Sequence, residues 1–352
     1  MKLFNLDCHI SVIADLTKIF TDLGHEVTSW SVSGHNNLVF NREPEKVDVV
    51  NQHTWMKLNE KMCDDFYERY KDELSQYDGF ICTYPLTFSL LYKKFKKPII
   101  LHIPIRYEVP FHNNEVLWNN FNDYLRQGID DNLIIPVANS EYDKRYFEFF
   151  VKRECQLIPN ICEYINTKWN PTKEQFLYSS RLPINFNSNL IINKNSLGRY
   201  DWSDLSNYKG IIVIPYTCST MSIFEHYNAN IPLFFPSKKF MIELYTNYGT
   251  LVLSELSWNR VFNLSAGSVI ECDRSQDPNM YTDVNIMSYW INFSDFYNEE
   301  SMPHIIYFDS LDDLMLKLST TNLQEVSDRM NQFNIEKKSS IYENWNKILK
   351  KI

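Results

Sequence analysis

The sequence predicts an α/β protein of two domains, each built on a parallel β-sheet. Its 352 residues are enough for two separate hydrophobic cores. Short apolar runs such as residues 211–215 and 231–235 are typical of strands buried on both faces of a parallel sheet. Segments with helical spacing of apolar residues follow several such runs, and this alternation is typical of parallel strands joined through helices.

In the first half of the chain, the order of elements is read from hydrophobic pattern and turn residues. MKLFNL predicts a first strand, residues 11–23 predict a helix with one apolar face, and LGHEVTSWSV predicts a second strand. YDGFICTYP and KPIILHIPIRYEVPF predict two further strands that end in proline-containing loops. IIPVANSEYDKRYFEFF and CQLIPN predict a last strand–helix unit and a final strand.

The most informative segment is GIIVIPYTCSTMSIFEHYNANIPLFFPS, Gly210–Ser237. It predicts a strand, a turn, a helix that begins after Ser219 or Thr220, and a second strand. A helix at the carboxyl end of a buried parallel strand directs free N–H groups and a positive dipole end towards the ligand-binding edge of the sheet. The segment therefore predicts a binding site for a diphosphate.

The domain organisation follows from the breaks between these patterns. We expect an amino-terminal domain over residues 1–170, a carboxyl-terminal domain over 171–337 and a terminal helix over 338–352 that crosses back to the first domain. Residues 258–298 show no clear period, and we expect an irregular insertion there that lines the ligand pocket.

Composition excludes several classes of protein. A net charge of −9 without a long basic cluster argues against a nucleic-acid partner. Seven cysteines without a C-x-x-C pair predict reduced thiols, and the absence of G-x-G-x-x-G and Walker patterns disfavours a dinucleotide enzyme or a P-loop NTPase. With no apolar run near the ~20 residues of a membrane span and no signal-peptide pattern, we expect a cytoplasmic protein without stable membrane insertion.

The segment 210–237 resembles the donor-nucleotide site of GT-B glycosyltransferases. Glu225 and Pro232 match the family pattern E-A-x-x-x-G-x-P, with Asn230 at the position of its glycine. The resemblance implies two Rossmann-like domains with parallel sheets facing an interdomain cleft, the first on the acceptor side and the second on the donor side. Many retaining members carry a second glutamate where this chain has Thr217, and this departure favours an inverting mechanism.

For the donor site, the resemblance implies that Glu225 binds the ribose diol and that Arg181 meets the diphosphate. Tyr216, Ser219 and Thr220 form the turn and helix start over which the nucleotide would lie. Two alternatives stay open. The two hydroxyls alternatively serve only as helix N-caps, and Arg181 is alternatively a surface ion-pair residue.

For catalysis, the resemblance places His9 directly after the first strand, where inverting relatives present a base. Asp7 and Asp15 are candidates to orient its ring. A histidine that caps the first helix, or is simply exposed, is the alternative.

Two further catalytic candidates are His102, which falls where relatives contact the donor sugar, and Glu108, which lies beyond the same strand. His102 is alternatively a core histidine. Glu108 and Arg106 alternatively form a surface salt bridge.

No D-x-D pair stands in a short loop after a strand, so no metal is required. The resemblance thus implies a hexosyl- or pentosyltransferase for glycan biosynthesis that takes a nucleoside-diphosphate sugar as donor and a glycan or glycoconjugate as acceptor. It needs no cofactor, and the sequence leaves the oligomeric state undetermined. A nucleotide-sugar epimerase or hydrolase with the same fold, and a non-catalytic sugar- or nucleotide-binding protein, are the alternatives.

Overall fold

A computed structural model of the chain describes residues 1–33, 47–253, 276–278 and 283–352. These form two compact units: unit 1 holds the described residues of 1–164 and 339–352, and unit 2 holds those of 165–338. The boundary expected at residue 170 lies a few residues beyond this division. Within the described ranges, no helix combines the length and apolar character needed to cross a membrane.

Unit 1 contains a six-stranded sheet in the order β2-β1-β3-β4-β5-β6, in which every neighbouring pair is parallel. Its central strands are apolar and fully buried, as the sequence predicts. The strands are β1 Lys2–Asp7, β2 Glu26–Ser31, β3 Gly79–Cys82, β4 Ile99–Ile103, β5 Ile134–Ala138 and β6 Gln156–Leu157.

Helices connect these strands. Three of them begin at a side chain that accepts a backbone N–H of the first turn, namely Asn59, Asn114 and Ser140. The helices are α1 Ile10–Asp22, α2 Glu60–Leu74, α3 Ser89–Tyr92, α4 Glu115–Asp130 and α5 Glu141–Val151.

Unit 2 contains a five-stranded parallel sheet in the order β11-β10-β9-β7-β8. Gly210 precedes β9 where a β-carbon would lie 2.7 Å from the carbonyl oxygen of Pro232, so only glycine lets these two chain segments approach. The strands are β7 Phe176–Ser179, β8 Ile191–Asn193, β9 Ile211–Val213, β10 Leu233–Pro236 and β11 Ile306–Phe308.

The helices that begin in unit 2 are α6 Trp202–Ser206, α7 Met221–Asn228, α8 Lys238–Tyr248, α9 Val284–Ile291, α10 Leu311–Thr320 and α11 Leu323–Leu349. The end of α11 belongs to unit 1, where Ile341, Trp345 and Ile348 are buried in the hydrophobic core. The rings of Trp345 and Phe20 are 5.1 Å apart there.

We expected an irregular insertion over residues 258–298, and most of residues 258–282 lie outside the described residues. For the last part of the range the expectation is wrong. Residues 284–291 form α9, which begins at Asp283, whose carboxylate accepts the backbone N–H groups of Asn285 and Ile286. Ile286, Met287, Trp290 and Ile291 are buried along it. Six of the seven cysteines fall in the described ranges, and all six are free thiols.

Candidate functional site

A cavity of about 240 Å³ lies in unit 2 at the carboxyl ends of β7, β8 and β9. Parallel pairing brings these three ends to one edge of the sheet, where α/β proteins bind ligands. The first turns of α7 complete its wall. Its lining residues are Ser179, Ser180, Arg181, Lys194, Asn195, Tyr200, Val213, Ile214, Pro215, Tyr216, Thr220, Ser222, Ile223 and His226.

Helix α7 presents its amino-terminal end to this cavity. Thr220 occupies the N-cap position, but its side chain makes no capping hydrogen bond. Its hydroxyl instead lies 3.2 Å from the Tyr216 hydroxyl and 3.3 Å from the Ser222 hydroxyl. The Thr220 side chain therefore does not cap the first turn of α7, and the amino-terminal end of a helix is where an anion is stabilised.

Arg181 follows β7 and lines the same cavity. Its guanidinium carbon is 4.3 Å from the centroid of the Tyr216 ring, which is a cation–π distance. Arg181, Tyr216 and Thr220 were each expected at the diphosphate, and the structure brings all three to one cavity.

The other two residues expected here lie beside the cavity. Ser219 is buried and its hydroxyl makes no hydrogen bond with the described residues. Glu225 is half-buried on α7 and is not among the lining residues. Two lining residues nevertheless lie within reach of its charge. Burial lowers the pKa of Lys194 and raises that of Tyr200, and the Glu225 charge acts second on each, opposing the first shift and adding to the second.

Sequence reasoning missed Lys194, Tyr200 and His226. Lys194 follows the short edge strand β8, and its ammonium lies 5.7 Å from the centroid of the Tyr200 ring. Burial lowers the pKa of Lys194, which the Glu225 charge partly offsets. Burial, and secondly the charge of Lys194, holds the pKa of His226 well below its ordinary value, so this ring is neutral at pH 7. A polar pair, Lys194-Asn195, directly after a strand was the available signal.

In unit 1, His9 lies between the end of β1 and the start of α1. It holds the N-cap position without a side-chain capping bond, so the capping role considered for it is absent. Nδ1 of the ring is buried and makes no hydrogen bond with the described residues, and burial lowers the ring's pKa. A neutral imidazole at pH 7 is a proton acceptor.

The two acids expected to orient the His9 ring, Asp7 and Asp15, accept hydrogen bonds from other groups instead. Asp7 is fully buried; it accepts the backbone N–H of His9 at 3.0 Å and the hydroxyl of Thr83. It therefore fixes the backbone at His9. The expectation for Asp15 is wrong, because its carboxylate accepts the side-chain amide of Asn160 and the backbone N–H groups of Ile161 and Glu163, at 2.8–3.0 Å.

His102 lies within β4 and is only 1 % exposed. Its ring centroid is 5.7 Å from that of Trp345, and burial lowers its pKa to about 3. This environment is that of a core histidine, which was the alternative to sugar contact.

Glu108 and Arg106 are both buried, so the alternative of a surface salt bridge between them is wrong. Oε1 of Glu108 accepts the hydroxyl of Tyr146, which lies on α5. The opposing charges of Glu108 and Arg106 both act on that tyrosine, which places the three side chains in one buried cluster.

Comparison with known proteins identifies the fold. No family model matches the sequence, and no curated protein is significantly similar to it. Among solved structures, a glycotransferase of kitacinnamycin matches with a TM-score of 0.50 and 10 % identity, over 100 % of this chain and 98 % of that one. The glycosyltransferase SnogD from Streptomyces nogalater matches with a TM-score of 0.45 and 12 % identity, over 95 % of each chain. The UDP-GlcNAc 2-epimerase from Methanocaldococcus jannaschii matches with a TM-score of 0.38 and 12 % identity, over 71 % of this chain and 87 % of that one. With its two parallel-sheet α/β units and a full-length structural match, the chain has the GT-B glycosyltransferase fold that the sequence predicts.

Proposed function

We propose that this protein is a glycosyltransferase that moves a hexosyl or pentosyl group from a nucleoside-diphosphate sugar to a glycan or glycoconjugate acceptor. The observation that carries the proposal is the cavity in which Arg181 and the amino-terminal end of α7 meet at the carboxyl edge of the unit 2 sheet. The likeness to a glycotransferase over the full chain supports it at the level of fold.

The chemistry asks for stabilisation of a leaving group. When the bond between the sugar's anomeric carbon and the diphosphate oxygen breaks, negative charge develops on the diphosphate. Donors that are already oriented stabilise that charge without reorganising during the reaction. The guanidinium of Arg181 and the N–H groups of α7 are such donors, and we propose that they act here without a metal ion.

An inverting transfer also needs a base. We propose that His9 accepts the proton of the acceptor hydroxyl as its oxygen attacks the anomeric carbon, because burial keeps its imidazole neutral. Glu108 is the second candidate base. His102 is a weaker one, since its ring lies in the core. Glu225, on the helix that borders the cavity, is assigned to the ribose.

The proposal is tested by donor turnover with and without acceptor. The protein is incubated with UDP-, GDP-, ADP-, dTDP- and CMP-sugars, each alone and with a pool of glycans and glycoconjugates, and released nucleotide and glycosylated products are read by mass spectrometry. We expect nucleoside diphosphate to be released when acceptor is present, in step with product.

Arg181→Met should abolish most of this turnover. The matched control is Arg329→Met, because Arg329 is exposed and its guanidinium pairs with Glu325 on the same helix. Acceptor-independent conversion of the donor would indicate an epimerase or hydrolase instead. Binding without any conversion, across donors and acceptors, would indicate a binding protein.

A further inference from the structure

Lys194 differs from most other lysines of unit 2. The ammonium groups of Lys168, Lys173 and Lys317 each donate a hydrogen bond to an oxygen atom within 3.0 Å, and Lys209 pairs with Glu174. The ammonium of Lys194 makes no hydrogen bond or ion pair with the described residues. It lies 5.7 Å from the centroid of the Tyr200 ring.

The position of Lys194 makes this lack of partners significant. It begins a single 3-10 turn, Lys194–Leu197, directly after β8. Parallel pairing sets Asn193 opposite Tyr178 of β7, so Lys194 and Arg181 leave neighbouring strands at the same edge of the sheet. Both side chains line the cavity beside α7.

Taking an ammonium partly out of water without giving it an acceptor is unfavourable. Lys194 is half-buried, and the nearby charge of Glu225 compensates only in part. His226, which borders the same space, is neutral at pH 7 and adds no third cation. The cavity therefore has two cations, one from each of two adjacent strands, and a helix end.

We propose that Lys194 binds a phosphate oxygen of the donor and is, with Arg181, one of two cations that select a nucleoside diphosphate over a nucleoside monophosphate. This inference rests on the proposed function. It adds that the loop after β8 is part of the anion site and that the ligand itself supplies the acceptor Lys194 lacks. A diphosphate has two phosphate groups, so each cation can pair with a different one, whereas a monophosphate offers a single phosphate group to both.

The test compares ligands that differ only in the number of phosphate groups. The affinities of nucleoside, nucleoside monophosphate and nucleoside diphosphate, all with the base that the wild type prefers, are measured by isothermal titration calorimetry for the wild type, Lys194→Met, Lys194→Gln and Lys194→Arg. The matched control is Lys239→Met, since Lys239 is exposed at the start of α8. Thermal melting checks that each variant folds.

We expect Lys194→Met to weaken diphosphate binding roughly tenfold to hundredfold, as for a charge-assisted hydrogen bond. Nucleoside binding should be unchanged, and Lys194→Arg should recover most of the loss. Lys194→Gln keeps a polar side chain, and its diphosphate affinity replaces that of Lys194→Met in the comparison if the methionine variant does not fold.

Three results would overturn the inference. Wild-type diphosphate affinity in Lys194→Met would do so while leaving the proposed function intact. An equal loss for the bare nucleoside would indicate a structural role for Lys194. A wild type that binds no nucleoside diphosphate at all would remove the proposed function and this inference together.

Discussion

The guanidinium carbon of Arg181 lies 4.3 Å from the centroid of the Tyr216 ring. The hydroxyl of that ring is 3.2 Å from Oγ1 of Thr220, so one tyrosine contacts both the cation that follows β7 and the N-cap of α7. A planar guanidinium stacked on a ring is restricted before any ligand binds. We therefore expect Tyr216 to position Arg181 for the anion.

Two substitutions of Tyr216 distinguish the contribution of its ring from that of its hydroxyl. Tyr216→Leu removes the stack and should weaken nucleoside diphosphate binding about two- to fivefold, the equivalent of ~0.5–1 kcal/mol for an exposed cation–π contact. Tyr216→Phe keeps the ring and should bind nearly as the wild type does. Calorimetric titration of both variants checks this, and equal losses in the two would show that the hydroxyl, not the stack, is what matters.

Metal removal tests how the diphosphate is held. Because Arg181 and the α7 amino terminus supply positive charge at the cavity, we expect a nucleoside diphosphate to raise the melting temperature without added divalent cations. The shift should be the same in EDTA. A shift that EDTA abolishes and magnesium or manganese restores would mean that a metal ion holds the diphosphate.

The buried carboxyl of Asp7 should make stability depend on pH. Burial raises its pKa from 3.8 to about 7, although the Thr83 hydroxyl and the His9 backbone N–H both act to lower it. Between these two values the folded protein holds the proton more tightly than the unfolded chain. The contribution of protonated Asp7 to the free energy of unfolding is therefore complete below about pH 4 and is lost as the pH rises through about 7.

Asp7→Asn removes this titration while keeping the size of the side chain. We expect the variant to match the wild type near pH 4 and to gain on it as the pH rises, by up to roughly 4 kcal/mol at pH 8. The buried Asp15 and His9 titrate in both proteins, so the difference between the two isolates Asp7. Urea unfolding at several pH values measures it. A difference that does not change between pH 4 and 8 would contradict the raised pKa.

The catalytic assignment predicts different effects at two histidines. His9→Ala should lower turnover by about 10²–10⁴-fold, the usual contribution of a positioned base, with donor affinity nearly unchanged. His102→Leu should leave both nearly unchanged, because that ring lies in the core against Trp345. The product should show inverted anomeric configuration by NMR coupling constants. Retention, or normal turnover without His9, would shift attention to Glu108.

The fold was predictable because its strands are buried and apolar. Residues 99–103 and 211–213 form the expected strands since a strand covered on both faces needs a continuous apolar run. The buried residues of helix α9, Ile286, Met287, Trp290 and Ile291, do recur at helical spacing. The helix was missed because the exposed apolar residues Val284 and Tyr289 obscure that period.

Within the site, predictability followed the regularity of the elements. Arg181 follows the buried strand β7, and Thr220 stands at the start of helix α7. Sequence patterns mark both kinds of position clearly. Lys194 follows β8, a three-residue edge strand whose residues are half-buried or exposed. Such a strand has no long apolar run by which the sequence could have predicted it. The burial of Arg106 and Glu108 depends on packing between distant segments, which local patterns do not encode.

That the cavity of unit 2 holds the nucleoside diphosphate is tested most directly by calorimetric titration of Glu225→Gln. A carboxylate bonded to the ribose diol makes charge-assisted hydrogen bonds worth roughly 1.5–3 kcal/mol each, so we expect at least a tenfold loss of affinity. The loss should vanish for the 2′,3′-dideoxy analogue and be absent in Glu243→Gln, a control at an exposed position of α8. If Glu225 does not contact the ribose, removing its negative charge beside Lys194 should instead favour the anion. Unchanged or tighter binding in Glu225→Gln would therefore contradict the donor site described here.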